Sequence, residues 1–276
     1  RGGRLVNAPT ARAAAPAARP GLAASLRQTL SLAWRTLLQI RHNPWELGDF
    51  SIQPILFLLL FLYVFGGAIA GSTEAYISYM LPGIVVMNMT FVTVYVGHGL
   101  NTDLTKGFFD RLRAMPIAPW TPLAGRIIAD LVKQAWAICL MLFVGYLLGF
   151  RIGTSIAYLP LLFALVLTFA LAMSWVMVLV GVIAKDPEHV QLFGFTALFP
   201  VTFVSNVFVP QDTMPDWLQV IVQANPISNL ADASRGLLVS GEVLDPALRV
   251  LAWSAAITAV FAPLSVRALN RRLAGR

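Results

Sequence analysis

One cysteine, Cys139, serves a chain of 276 residues, alongside three histidines and three lysines. A lone cysteine excludes an internal disulfide and a thiol pair for a metal or redox centre. His42, His98 and His189 lie in three separate regions. None stands at the i,i+4 spacing that turns two imidazoles toward one zinc ion, so a metalloenzyme has no support. The lysines, Lys106, Lys133 and Lys185, are followed by Gly, Gln and Asp. A phosphate-cradling loop needs Gly-Lys followed by Ser or Thr, with the lysine on the phosphates and the hydroxyl on magnesium. This chain carries no such sequence. Charged residues are scarce too, at 12% against about 25% for a soluble domain.

Hydrophobic residues make up 58% of the chain and collect into six long segments, at residues 52–70, 79–100, 131–150, 158–184, 192–209 and 247–266. A helix needs about 20 mostly apolar residues to cross the hydrocarbon core of a bilayer. The expected fold is therefore an all-α integral membrane protein with six transmembrane helices. Six spans and their connections nearly use up the chain. That leaves one membrane domain, residues 25–276, behind a tail of residues 1–24. The tail is rich in Ala, Arg and Pro, lacks acids and shows no apolar periodicity, as solvated disordered segments and transit-type leaders do.

Lys and Arg accumulate in short loops on the cytoplasmic side of a membrane. Seven precede the first segment, five lie in residues 101–133, one lies between the fourth and fifth segments, and four follow the sixth. Those regions alternate onto one side and hold 17 of the 20 cations, against Arg151, Arg235 and Arg249 on the other. Both termini are expected in the cytoplasm. The net charge of +7 follows from this topology and from contact with anionic headgroups, so it does not argue for nucleic acid. Seventeen arginines against three lysines, with much alanine, fit a GC-rich bacterial genome and hence the inner (plasma) membrane of a bacterium.

Between the tail and the first segment, Leu26, Leu30, Trp34, Leu37 and Leu38 share one helical face, while Arg27, Ser31, Arg35 and Gln39 recur on the other. Such a helix lies flat in the interface, as an anchor, as a contact for a partner, or as both. Asn43-Pro44 ends it, because the residue before proline avoids the helical region and proline lacks an amide donor. The connection after the second segment reads Lys106-Gly107-Phe108-Phe109-Asp110-Arg111-Leu112-Arg113-Ala114-Met115-Pro116. As a helix it puts Phe108, Phe109, Leu112 and Met115 within roughly a third of the circumference, with Asp110 and Arg113 opposite. Two readings stand for it: a solvated loop with ordinary cytoplasmic charge, or an amphipathic helix that inserts into a soluble partner.

In the second segment Asn88, Phe91, Tyr95, His98 and Thr102 recur at steps of three and four, and in the fifth Phe195, Phe199, Thr202 and Asn206 do likewise. Polar side chains at membrane depth face protein or a cavity. They either bond helix to helix or line the path of an amphipathic molecule. Between the fifth and sixth segments, Trp217, Leu218, Ile221 and Val222 make one helical face, and Ile227, Leu230, Ser234, Leu237 and Leu238 make another. Asn225-Pro226 separates them. Two short helices dipping into the outer interface are expected, with Asp212, Asp216, Asp232, Glu242 and Asp245 as an acidic rim around Arg235.

Two stretches, FFDRLRAMPIAP after the second segment and FVPQDTMPDWLQVIVQANPISNLADASRGLL between the fifth and sixth, resemble permeases of the ABC type-2 exporter family. The likeness is to its daunorubicin-resistance-type membrane subunits in particular. It implies a half-transporter that pairs with a second permease half, identical or homologous, and with two copies of an ATP-binding subunit that hold the ATP and magnesium. The family's cytoplasmic coupling helix then maps to Phe108, Phe109, Asp110, Arg111, Leu112, Arg113, Met115 and Pro116. Its second cytoplasmic contact maps to Lys185, Asp186 and Glu188, which otherwise read as a charged turn. The stripes of the second and fifth segments map to its substrate path. Trp217, Asn225, Pro226 and Arg235 map to an outer gate, or else only brace the last two spans.

The expected function is outward movement of a hydrophobic or amphipathic drug, secondary metabolite or lipid, driven by ATP hydrolysed on another chain. Export of a polysaccharide or lipid-linked glycan is the alternative within transport and calls for a wide continuous channel. An intramembrane enzyme needs a convergent acid, base or nucleophile at membrane depth, and the spans show no such cluster. A passive channel needs rings of charge or a filter motif, which are missing as well.

Overall fold

A computed structural model describes residues 22–42, 44–67, 71–108 and 121–274, and its regular elements are all helical. In chain order these are α1 (Leu22–His42), α2 (Pro44–Leu60), a π-helical turn (Phe61–Phe65), α3 (Thr73–Thr105), α4 (Thr121–Leu147), α5 (Leu159–Ile183), α6 (Pro187–Phe203), α7 (Asp216–Ala224), α8 (Pro226–Leu238) and α9 (Leu244–Ala274). The tail through residue 21, Asn43, and the connection from Phe109 through Arg113 and Met115 to Pro116 lie outside the described residues.

Among the described residues, four helices are long and apolar enough to cross a bilayer: Ala75–Thr105, Ala124–Leu147, Ile156–Ile183 and Leu244–Ala274. The fifth expected span differs from the sequence reading, and the end of the first, residues 68–70, lies outside the described residues. The apolar part of α2 and its π turn, Ile52–Phe65, is shorter than a full crossing. The helix expected to run through residue 209 ends at Phe203, after an internal Pro200. The Val204 amide still donates to the Pro200 oxygen, but residues 204–209 run as non-helical bends although their hydropathy stays high. Hydropathy registers side-chain transfer, whereas the helix ends where backbone partners are supplied from elsewhere. Two short helices, α7 and α8, follow as expected.

The helices are arranged around α3. Its apolar stretch is 89% buried, whereas that of α9 is 11% buried, so α3 is the axis of the bundle and α9 its outer wall. Small residues allow the central position. A Cβ on Gly181 of α5 would lie 2.4 Å from the Gly97 oxygen, and one on Gly97 would lie 2.3 Å from the Met177 oxygen. Backbone meets backbone there, as at small-residue contacts between membrane helices. One apolar core joins Tyr76, Ile84, Met89, Phe169, Leu230 and Leu237 toward the end that carries α7 and α8. A second, around Leu100, Leu104, Val178, Val182 and Leu269, sits toward the opposite end.

Helix ends leave carbonyls without partners, and those of α5 are met by its neighbours. Asn101 Nδ2 donates to the oxygens of Gly181 (2.8 Å) and Ala184 (2.9 Å). Arg272 Nη1, from α9, donates to the oxygens of Val182 and Ala184. At the start of the chain, α1 leaves Leu26, Leu30 and Trp34 exposed and buries Ser25, Thr29 and Ala33. The buried side packs on α4, where a Cβ on Gly125 would lie 2.9 Å from the Thr29 oxygen. Exposed leucines and tryptophan on a helix otherwise bound to the bundle suit contact with lipid.

Replacing Gly97 by Ala forces α3 and α5 apart and should destabilise the protein by about 1–3 kcal/mol. A Cβ at Gly67 meets nothing within 4 Å, so Gly67→Ala should be near neutral. Thermal unfolding in detergent distinguishes them. Equal midpoints for the two variants would remove the close crossing as a determinant of the fold.

Candidate functional site

A cleft of about 160 Å³ opens between α2, α3 and α6. Five of the residues expected on a substrate path line it: Asn88, Phe91, Tyr95, Phe195 and Phe199. They converge because α3 presents positions 88, 91 and 95 on one face and α6 presents 195 and 199 opposite. The Phe91 and Phe195 rings stack across the gap, 5.6 Å between centroids. Asn88 is only 8% exposed, and its Nδ2 has no hydrogen-bond partner. An unpaired amide nine-tenths buried among aromatic rings is costly unless a guest or a rearrangement completes it.

The other three expected residues lie elsewhere. His98 Nδ1 stands 3.2 Å from the Pro187 oxygen and ties α3 to the start of α6. Thr202 is fully buried, and Asn206 belongs to a separate cluster above the cleft. Threonines of α3 mostly satisfy themselves: Thr90 donates to the Val86 oxygen (2.9 Å) and Thr102 to the His98 oxygen (3.0 Å). Within the α3 stripe, then, Thr102 bonds inside its own helix while His98 reaches α6. Residues missed by the sequence reading complete the cleft, chiefly Gln53, Pro54 and Phe57 of α2 and Phe203 of α6. The i,i+4 pair Gln53 and Phe57 beside an internal proline was the available signal.

Rings continue from the cleft toward the α7 and α8 end. Phe199 stacks on Phe203 at 4.2 Å, Phe203 meets Phe208 at 5.2 Å, and Phe208 stacks on Phe61 at 4.2 Å. Phe208 belongs to the non-helical strap of residues 204–209, and Phe61 opens the π turn. Insertions of this kind occur often at functional sites.

The strap is held by side chains. Arg235, from α8, donates through Nη2 to the oxygens of Asn206 (2.7 Å) and Val207 (3.2 Å), and through Nε to the Tyr79 oxygen (3.0 Å). Its guanidinium also lies 3.8 Å from the centroid of the Tyr79 ring. Nη1 pairs with Asp232 at 2.9 Å, and Asn206 Nδ2 donates to the same carboxylate. The hydroxyls of Tyr79 and Tyr76 donate to the oxygens of Asn206 and Phe208. Asn225 completes the set: its Nδ2 donates to the oxygens of Val201 (2.7 Å) and Val204 (2.6 Å), while its Oδ1 caps α8 at the Ile227 amide. Pro226 opens α8, where its missing amide hydrogen is harmless. Two of the four residues expected at an outer gate, Asn225 and Arg235, are therefore clasps on one strap. Trp217 lies apart from that clasp, 68% exposed on α7.

At the opposite end, Asp186 caps α6. Its Oδ1 accepts from the His189 amide at 3.0 Å and stands 2.6 Å from His189 Nδ1. These bonds, the backbone one first, hold its carboxyl below the usual aspartate range. The cap's contribution is therefore present above that range and lost as pH falls through the lowered value. Lys185 and Glu188 flank it in exposed positions. Of the expected coupling residues in the earlier connection, Phe108 alone is described, and the Arg35 guanidinium stands 5.1 Å over its ring. Among the described residues no group of three His, Cys, Asp or Glu is placed to hold a metal ion.

Arg235→Gln should destabilise the protein by about 3 kcal/mol, since it strands buried carbonyls and loses the planar fork that reaches them. Arg235→Lys should not rescue it, because one ammonium cannot replace three separated donors. An unfolding midpoint for the lysine variant equal to that of the parent would contradict the clasp.

The family model for ABC-2 type transporters matches residues 27–239. The daunorubicin resistance ABC transporter permease protein DrrB1 of Streptomyces coeruleorubidus is 41% identical over 251 residues, which cover 90% of this chain and 88% of that protein. The probable doxorubicin resistance ABC transporter permease protein DrrC of Mycobacterium tuberculosis is 26% identical over 218 residues, 78% of each chain. A putative transport permease, ycf38 of Cyanophora paradoxa, is 25% identical over 225 residues, covering 77% of this chain and 74% of its own length. The chain belongs to the ABC-2 type transporter family as a membrane permease.

Proposed function

We propose that this permease carries an amphipathic, aromatic small molecule of the drug or secondary-metabolite class out of the cell, with ATP hydrolysed on a separate subunit. The cleft between α2, α3 and α6 is the observation that carries the reading, since six phenylalanine and tyrosine rings surround it with the amides of Asn88 and Gln53. Such a lining matches a flat apolar molecule with a few polar groups. The relatives named for daunorubicin and doxorubicin resistance point the same way. A narrow aromatic cleft is also a poor conduit for a polysaccharide. The working unit is two permease halves with two copies of the ATP-binding subunit, in the inner (plasma) membrane of a bacterium.

Six crossings complete the picture. The short apolar run of α2 with its π turn, and α6 with the buried strap of residues 204–209, supply the two that the four long helices lack. Residues 25–276 then form one permease domain behind a solvated tail, with α1 in the cytoplasmic interface and both termini in the cytoplasm. The connection holding Phe108, Phe109, Asp110, Arg111, Leu112, Arg113, Met115 and Pro116 docks on the ATP-binding subunit, and the turn at Lys185, Asp186 and Glu188 is its second contact. The helices α7 and α8 cover the outer exit, with Trp217 toward the outer interface.

The topology is tested by cysteine labelling in a Cys139→Ala background. Cysteines at Ser72 or Gln211 should react with an impermeant thiol reagent in intact cells, and one at Thr105 should not. Labelling of Thr105 from outside would invert the arrangement.

Transport is tested in inverted membrane vesicles holding the permease and its ATP-binding partner, with daunorubicin as probe. Asn88→Leu and Phe199→Ala should each raise the half-saturating concentration several-fold. The second change removes apolar contact worth about 25 cal/mol per Å². Unchanged uptake by both variants sinks the cleft as a substrate site, and no ATP-dependent uptake by the unaltered pair sinks the substrate class.

A further inference from the structure

Four ionisable side chains gather where α3 ends and α4 begins, outside the cleft and its strap. Arg126 Nη1 on α4 pairs with Asp103 Oδ2 on α3. Arg126 Nε stands 3.8 Å from Asp130 Oδ2, and Lys133 Nζ stands 3.6 Å from Asp130 Oδ1. All four fall within the long apolar stretches of their helices. Asp130 and Lys133 are 8% and 9% exposed. Two carboxylates thus face two cations.

The fit between the helices is specific to this arrangement. A Cβ on Gly99 of α3 would fall 1.5 Å from Arg126 Nη2. The guanidinium therefore lies against α3 where only glycine leaves room. Of these three pairs Arg126–Asp103 alone crosses from α4 to α3; its side chains are 18% and 35% exposed, and such a part-buried pair ties the two helices at one register. The helices so fixed are the two stems of the 109–120 connection.

Resting on the coupling reading above, we propose that Asp103, Arg126, Asp130 and Lys133 are positioning residues that lock the two stems together. A push on the connection then displaces α3 and α4 as one body. The helix α3 runs unbroken from Thr73 to Thr105, so movement at Asp103 is carried to Asn88, Phe91 and Tyr95 in the cleft. The helix α1 moves with them through its contact at Gly125.

The test uses the full complex in vesicles and reads three quantities: assembled complex, ATP hydrolysis and daunorubicin uptake per ATP. Asp103→Arg and Arg126→Asp should each keep complex and hydrolysis near the parent values while lowering uptake per ATP about tenfold, a common size for coupling between distant sites. The double exchange should restore most of it. Asp103→Asn and Arg126→Gln, which introduce no new charge, should show the same loss in milder form. Unchanged uptake per ATP in the single variants overturns the proposal, and so does failure of the double exchange to restore it. Loss that merely follows a fall in assembled complex reduces the quartet to a structural brace and also overturns it. The triple variant Phe109→Ala, Asp110→Ala, Arg113→Ala separates the two readings. Parental transport by that variant removes the coupling role of the connection, whatever the quartet does.

Discussion

Backbone that leaves a helix at membrane depth has no water to bond, so every exposed amide and carbonyl must find a partner within the protein. The strap of residues 204–209 meets this constraint through side chains from two other helices, α3 and α8 with its cap. Arg235 and Asn225 reach it from α8 and its cap, and Tyr76 and Tyr79 reach it from α3. The approach is close enough that a Cβ on Gly83 would lie 2.6 Å from the Val207 oxygen. The remaining geometry follows. With the strap fixed, Phe208 is fixed over Phe61 and Phe203, and those rings close one end of the cleft. Arg235 is affordable at 11% side-chain exposure because each of its nitrogens has an acceptor. Its ion pair with Asp232, whose carboxylate is 43% exposed, matters less than its carbonyl contacts, since partial solvation screens the pair.

Much of the architecture could be read from the sequence, because long helices in lipid obey one dominant rule. The segments that became α3, α4, α5 and α9 were placed by hydropathy alone. The break at Asn225-Pro226 was legible from proline's missing donor, and α8 does start at Pro226, whereas Asn43 lies outside the described residues. The end of α6 was not legible. Val204, Val207 and Val209 look like span residues, and the signal that the helix had stopped lay in Arg235, 29 residues from Asn206. A sliding average cannot see a partner at that distance.

The candidate site was legible in part for a similar reason. Periodicity put Asn88, Phe91 and Tyr95 on one face, which the cleft uses. It also added His98, which lies on the same stripe but turns to the Pro187 oxygen once α6 packs alongside. Helical spacing tells which residues share a side, and only tertiary packing tells where along that side the cavity stops. The α2 wall was hidden because Gln53 and Phe57 gain meaning only against two other helices. Arg126 and Lys133 read as cytoplasmic loop cations, and Asp130 between them drew no reading. The structure instead carries them inside a helix, where their mutual balance makes burial tolerable.

The outer wall has a further consequence. The helix α9 spans 31 residues and buries only Val250, Ser254, Ser265 and Leu269. At 1.5 Å per residue it is about 46 Å long, beyond the roughly 30 Å hydrocarbon core, so part of it must project or lean. It packs along α5 while turning most of its side chains outward, so the α5 contact and the thickness of the bilayer set its tilt together. Through Arg272 it is also fastened to the last carbonyls of α5. The thickness of the host bilayer thus reaches the bundle through its least buried helix, and the choice of lipid becomes one of the settings of the machine.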